Sequence, residues 1–214
     1  MPTMNRHERA LAEPAAAHAT GSHSGLPPRS AGAPASPCTE RWNRTVTADL
    51  RSDHAGETGA VQIYRGVLAV ARDPAVRRFA EHHLATEQQH LDVIDRYLRP
   101  QDRSRLLPAW RVAGWLTGAL PALFGPRMVY ATIASVETFV DTHYAEQLHY
   151  LDAHLQEDAR YPDLRRALNA CREDEVHHRD EALSAGPAQG WLVQVWTWVV
   201  ATGSKQAVVL ARRV

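Results

Sequence analysis

"HLATEQQHLDVID", residues 83–95, decides the fold. At about 100° per residue, Leu84, Leu91 and Ile94 share one stripe of a helix, and Glu87 and His90 lie on that same stripe. A carboxylate and an imidazole on the apolar side of a helix lose hydration when the helix packs, a penalty of several kcal/mol unless a partner compensates.

The Glu-x-x-His spacing recurs as Glu146 with His149 and as Glu175 with His178. Glu175 and His178 share a stripe with Leu168, Cys171 and Ala182, so they face a core. Glu146 and His149 lie well around their helix from Ile133, Val140, Tyr144 and Leu148, which places them on a solvated face. Two further glutamates stand alone on apolar stripes, Glu57 among Ala60, Val61 and Tyr64, and Glu137 among Ile133, Val140 and Tyr144. In chain order the buried pattern is Glu, Glu-x-x-His, Glu, Glu-x-x-His.

Helical periodicity runs nearly everywhere from about Trp42 onward, and no stretch alternates with period two for long enough to make a strand. The first helix is expected over about 45–71. In "RDPAV", residues 72–76, Asp73 is the N-cap and Pro74 the first position of the second helix, which Pro100 ends. Pro126 opens a third helix to about Glu157, and Pro162 with Asp163 a fourth to about Leu183. The fold class is all-α, a four-helix bundle carrying one element of the buried pattern on each long helix.

Four carboxylates in one bundle core repel one another, so either they stay protonated or cations sit among them. Two divalent ions would neutralise Glu57, Glu87, Glu137 and Glu175, with His90 and His178 supplying one imidazole to each ion and two glutamates left to bridge. That donor set is the one used by di-iron or di-manganese carboxylate centres, whereas zinc draws more Cys or His and magnesium keeps more water. Asp53, one turn before Glu57, and Asp141, one turn after Glu137, are candidates to accept a proton from a ligating histidine. His143 and Tyr144 are candidates to line a substrate or oxygen pocket, or else to be surface and core packing.

Two apolar segments flank the last long helices. "LLPAWRVAGWLTGALPALFGP" (residues 106–126) lies within segment 104–125 and its edge, and "WLVQVWTWVVATGSKQAVVLARRV" (residues 191–214) within segment 190–213 and its edge. Neither has the roughly 18 uninterrupted apolar residues needed to span hydrocarbon. They are expected to lie on a membrane. Trp110, Trp115, Trp191, Trp196 and Trp198 suit the headgroup boundary, and Arg103, Arg105, Arg127, Lys205, Arg212 and Arg213 suit anionic lipid. The alternative is burial in a larger core or an oligomer interface.

The chain has 214 residues, with 24 Lys and Arg balancing 24 Asp and Glu, so it has no global basic field of the kind that gathers nucleic acid. Cys38 and Cys171 offer no disulfide framework, which points to a reducing compartment. Residues 1–41 are rich in Ala, Pro, Ser and Gly, the composition of a disordered tail without the apolar run of a secretory signal, and residues 42–214 form the domain. No dinucleotide fingerprint, P-loop or nucleophile elbow is present.

"LRSDHAGETGAVQIYRG", residues 50–66, resembles the first helix of the demethoxyubiquinone hydroxylase (Coq7) family, and the likeness continues through "TEQQHL", "SVETFVDTHY" and "EDEVHHRDEAL" to "GSKQAVVLARRV". It covers about residues 45–214. The resemblance implies that the iron ligands are Glu57, Glu87, His90, Glu137, Glu175 and His178, with spacing favouring His178 over its neighbour His177. It also implies a ferritin-like bundle with two membrane-facing helical segments. The implied activity is O2-dependent hydroxylation of the ring of a polyprenylated quinone in ubiquinone biosynthesis, with two Fe2+ ions, O2 as co-substrate and an external reductant. A peripheral location on the cytoplasmic face of the inner (cell) membrane is expected, with a quinone and the membrane surface as partners, no nucleic acid, and association with a second copy or with other ubiquinone-biosynthesis proteins. Two alternatives carry different chemistry: a ferritin-like iron-oxidising or peroxide-reducing protein, and a non-catalytic quinone-binding subunit.

Overall fold

The computed structural model describes residues 40–214, which form six α-helices and no strand. The tail of residues 1–41, Cys38 included, lies outside the described residues except for its last two positions.

Helix α1 (Arg44–Val70) starts at Asn43, whose side chain accepts from the Val46 amide at 2.9 Å. Helix α2 (Pro74–Ile94) starts as the local chemistry dictates, with the Asp73 carboxylate accepting from the amides of Ala75 and Val76 and Pro74 at the position that needs no donor. Its end differs from expectation. The helix stops at Ile94 rather than running to Pro100, because the chain tightens into three-residue bonds from Arg96 to Val93 and from Tyr97 to Ile94. The Tyr97 carbonyl then receives the Trp42 indole N–H at 3.0 Å. A short 3-10 turn (Pro100–Asp102) leads into α3 (Leu107–Ala122).

Helix α4 (Pro126–His154) ends three residues before Glu157, where the backbone leaves helical angles and buries Leu155 in the core. Helix α5 (Tyr161–Ser184) and helix α6 (Trp191–Ala211) complete the chain.

Two apolar clusters organise the bundle. One contains Leu50, Ile94, Leu148, Leu151, Leu164 and Leu168, and the other Ile63, Val67, Phe79, Ala80, Ile133 and Ala182. Each long helix passes from one cluster to the other, and its buried Glu or Glu-x-x-His lies between them. The order of the clusters makes α1 antiparallel to α2 and α4 antiparallel to α5, two hairpins joined by one crossover. Helix α3 is that crossover.

Helix α3 packs on α1 backbone to backbone. A Cβ at Gly114 would collide with the Gly59 carbonyl, one at Gly118 with the Ile63 carbonyl, and one at Gly66 with the Trp115 carbonyl. Helix α6 is tied to α4 by the Trp196 indole, which donates to Thr132 Oγ1 at 2.8 Å, and by Ser135, which donates to the Thr197 carbonyl.

The outer faces of α3 and α6 carry exposed Trp115, Leu116, Leu120, Trp191, Val195 and Trp198, and Phe124 beyond α3 is 79% exposed. Among the described residues no helix is long and apolar enough to cross a membrane. The flanking cations divide. Arg103 is held by Asp95 at 2.6 Å and Arg212 by Asp49 at 2.8 Å, so these two have structural partners, while Arg105, Arg127, Lys205 and Arg213 are exposed.

Candidate metal centre

Helix α1 contributes Glu57, α2 Glu87 and His90, α4 Glu137, and α5 Glu175 and His178, none more than 4% exposed. They form two overlapping groups. Glu57, Glu87, His90 and Glu175 bring one ligand atom each within 4.8 Å of one another, and so do Glu87, Glu137, Glu175 and His178. Glu87 and Glu175 belong to both.

The contacts follow that division. His90 Nδ1 is 2.9 Å from Glu175 Oε1, and His178 Nδ1 is 3.3 Å from Glu175 Oε2 and 3.2 Å from Glu87 Oε1. Both oxygens of Glu87, Glu175 Oε2 and the Nδ1 atoms of His90 and His178 are buried without hydrogen-bond geometry to any partner among the described residues. Nitrogen and oxygen donors that converge in this way, unpartnered, fit two divalent cations with two bridging carboxylates.

Three of the ligand side chains are held from behind by polar neighbours. Tyr144 donates to Glu57 at 2.5 Å and Tyr64 to Glu137 at 3.3 Å. His90 Nε2 lies 3.2 Å from Asp174 Oδ2, the arrangement that fixes a ligating imidazole's tautomer. Neither Asp53 nor Asp141 fills this role as expected. Asp53 accepts from Gln147 and faces His143, while Asp141 is bound by Arg172 and Arg179. Asp174 precedes Glu175 by one residue, about 100° around the helix and off its apolar stripe, and that offset carries it behind His90 on the facing helix.

The remaining histidines separate cleanly. His178 is buried, whereas the His177 side chain is 69% exposed, and Glu146 and His149 are exposed. His83, which the sequence did not single out, is fully buried, with its ring 4.0 Å from that of His178 and its Nε2 3.0 Å from Glu181.

In the metal-free chain burial and mutual contacts shift these groups in opposite directions. Burial first, and then the Glu175 charge, push the carboxyls of Glu57 and Glu137 well above the ordinary carboxylate range. Burial also acts to raise Glu87 and Glu175, but their contacts with His178 and His90 outweigh it and hold both below that range. Burial alone would lower the two histidines. The neighbouring Cys171 sulfur and close contacts with Asp174, Glu175 and Glu87 instead raise His90 well above its ordinary value, and Glu175 and Glu87 raise His178 to about 9. Without a cation, burial thus favours the protonated carboxyl at Glu57 and Glu137, while Glu87 and Glu175 are favoured as carboxylates against the imidazoles of His90 and His178.

A cavity of about 330 Å³ reaches the centre from between α1, α3, α4 and α6, and Glu57, Glu137 and Glu175 close its inner end. Gly56, Gly59 and Gly114 leave its space open, and Val136, Val140, Val199 and Val200 make it apolar. His143 and Tyr144 both line it, which places them at the pocket.

The family model of ubiquinone biosynthesis protein COQ7 matches residues 44–211. The chain is 36% identical over 168 residues to 3-demethoxyubiquinol 3-hydroxylase of Rhodospirillum rubrum, covering 77% of this chain and 76% of that protein. It is 33% identical over 152 residues to the protein of that name from Acinetobacter baylyi, covering 70% and 69%. Similarity also extends to the mitochondrial NADPH-dependent 3-demethoxyubiquinone 3-hydroxylase of Caenorhabditis elegans, 29% identical over 167 residues with 77% and 88% covered.

Proposed function

Because this chain belongs to the ubiquinone biosynthesis protein COQ7 family, we propose that it hydroxylates the ring of a demethoxyubiquinone-type polyprenylated quinone at a di-iron centre. The observation that carries this reading is the junction of an apolar cavity with the six-residue donor set, since the cavity ends on Glu57, Glu137 and Glu175. A storage or peroxide-reducing centre has no use for that cavity, and a non-catalytic carrier has no use for four buried carboxylates.

Glu57 with His90 would hold one iron ion and Glu137 with His178 the other, with Glu87 and Glu175 bridging. When bound, the two ions supply the reduction and activation of O2 that ring hydroxylation requires. The protein holds everything else in place. Asp174 keeps the proton on His90 Nε2, leaving Nδ1 as the donor atom to metal. Tyr144 and Tyr64 restrain the terminal carboxylates Glu57 and Glu137. The apolar walls exclude water and accept a hydrophobic ring and the start of its tail. The electrons come from an external reductant, named as NADPH for the C. elegans relative.

The bundle is ferritin-like in this reading, and the exposed faces of α3 and α6, which flank the cavity, rest on the cytoplasmic face of the inner membrane. A prenyl tail then stays in lipid while its ring enters the bundle. Association with a second copy or with other ubiquinone-biosynthesis proteins belongs to the same proposal, and nucleic acid does not.

The deciding experiment reconstitutes the full chain with ferrous iron under argon, then admits O2 with a demethoxyubiquinol carrying a short prenyl tail. Two iron ions per chain, magnetically coupled by Mössbauer spectroscopy after oxidation, together with one hydroxyl gained by the ring, are expected. Full iron and full hydroxylation in Glu175→Ala would sink the site assignment.

A further inference from the structure

Most polar side chains lining the cavity are already committed within the protein. Tyr144 donates to Glu57, Trp196 to Thr132, Thr117 to the Ala113 carbonyl and Ser52 to the Asp49 carbonyl. His143 is different. Its Nε2 lies 3.2 Å from Asp53 Oδ1, 3.2 Å from Ser52 Oγ and 2.8 Å from Gln147 Nε2, while its Nδ1 takes no partner among the described residues.

The support behind this imidazole is itself buried. Asp53 is 4% exposed and accepts from Gln147 at 2.5 Å, so three side chains from two helices fix one nitrogen of the ring. The Gln147 amide at 2.8 Å from Nε2 spends its N–H on Asp53 Oδ1, so Nε2 is left to donate to the Asp53 carboxylate, and with the proton there the lone pair of Nδ1 is free for another partner. Protonation of the ring would reverse the sense of that bond, from acceptor to donor.

We propose that His143 Nδ1 holds a ring oxygen of the quinone substrate, with Asp53 and Gln147 as positioning residues. The neutral imidazole accepts from a quinol hydroxyl, and the imidazolium donates to a quinone carbonyl. The proposal rests on the quinone-hydroxylase reading and assigns the residue that orients the ring and distinguishes its two redox forms.

Charged groups from both neighbouring helices bear on this imidazole. Burial acts to lower its pKa, but the bond and charge of Asp53, with Asp49 also on α1, outweigh burial and the opposing Arg212 at the end of α6, and hold the group above its ordinary value. Discrimination between redox forms therefore changes with pH in a defined direction. As pH rises through the His143 titration, quinone binding weakens and quinol binding strengthens. A site that leaves a buried polar atom unpaired rejects the wrong form by about tenfold or more.

The test is equilibrium dialysis of the full chain under argon against a demethoxyubiquinone with a two-isoprene tail and against its quinol, at several pH values, each redox form quantified by chromatography. For the native chain, the ratio of quinone to quinol Kd is expected to rise by about tenfold or more across the titration. In His143→Leu the ratio should be flat, and a native pH dependence in that variant overturns the proposal. Asp53→Asn preserves shape, removes the charge that raises the imidazole, and should move the midpoint down by about one pH unit or more. An unmoved midpoint also overturns it. If the native chain binds neither form at any pH, the quinone reading itself fails, which is a different result from a native response that survives in His143→Leu.

Discussion

Asp174 Oδ2 lies 3.2 Å from His90 Nε2, on the side of the ring away from the Nδ1 that faces Glu175. An acceptor in that position orients the imidazole and raises its basicity toward metal, and removing such a partner lowers metal affinity by about 10–100-fold. Asp174→Asn is therefore expected to retain its helical content and lose iron to a chelator at concentrations that leave the native chain loaded. Asp141→Asn, which breaks only contacts to Arg172 and Arg179, is expected to keep native affinity.

The sharing of Glu87 and Glu175 between the two donor groups makes the ligands unequal. Glu87→Ala removes a donor from both positions, whereas Glu57→Ala removes one from a single position. Metal analysis after reconstitution should find fewer than one iron ion per chain in the first variant and about one in the second. Equal loss in the two variants would contradict the bridging assignment.

Much of this centre was legible in the sequence because a helix repeats about every 3.6 residues. That period puts Glu87 with His90 and Glu175 with His178 on apolar stripes, and it excludes Glu146, His149 and His177. Helix starts were legible for a similar local reason, as at Asp73 and Pro74. What periodicity within one helix does not contain is the partner across a packed interface. Asp174 reaches His90 and His83 reaches Glu181 from different helices, and the Tyr97 carbonyl just past the early end of α2 is taken by Trp42, 55 residues away.

Protonation in the metal-free core ties stability and metal binding to pH. Glu57, Glu137, His90 and His178 all hold their protons more tightly folded than unfolded, so the folded chain binds more protons as pH rises above the ordinary range of each group, for His178 up to about 9. Stability is then lost as pH rises, for His178 through about 9. Glu87 and Glu175 act oppositely, contributing above the ordinary carboxylate range and losing that contribution as pH falls through their depressed folded values. The Tm of the metal-free protein should be highest near about pH 5 and fall toward pH 9, and the gain on adding iron should grow over the same interval. Calorimetric titration in buffers of different ionisation enthalpy should report net proton release on metal binding, because Glu57, Glu137, His90 and His178 all hold protons more tightly in the metal-free fold.

The exposed apolar faces of α3 and α6 make a separate prediction. Phe124 and Trp191, 79% and 71% exposed, belong to the rim of this surface and line neither the metal centre nor the cavity. Replacing both with Asp should reduce sedimentation with anionic vesicles by about tenfold or more, given that the core holds neither ring. Iron loading should be unaffected. Unchanged sedimentation would assign this surface to a protein interface instead.

The crossing of α1 and α3 sets the width of the cavity, and Gly118 is its tightest point. A Cβ there meets the Ile63 backbone, which cannot swing aside as a side chain would, so Gly118→Ala must push α3 outward. Overpacking of this kind costs about 1–3 kcal/mol, against about 1 kcal/mol recovered from the better helix propensity of Ala. A net loss of Tm is expected, together with weaker quinone binding as the wall between Gly59 and Gly114 separates. Gly203→Ala on α6 provides the opposite case, because a Cβ there meets nothing within 4 Å. The same substitution should raise Tm by about 2–4 °C, the amount that about 1 kcal/mol produces in a domain of this size. A rise of Tm in both variants would mean that the α1–α3 contact is looser than its backbone geometry requires.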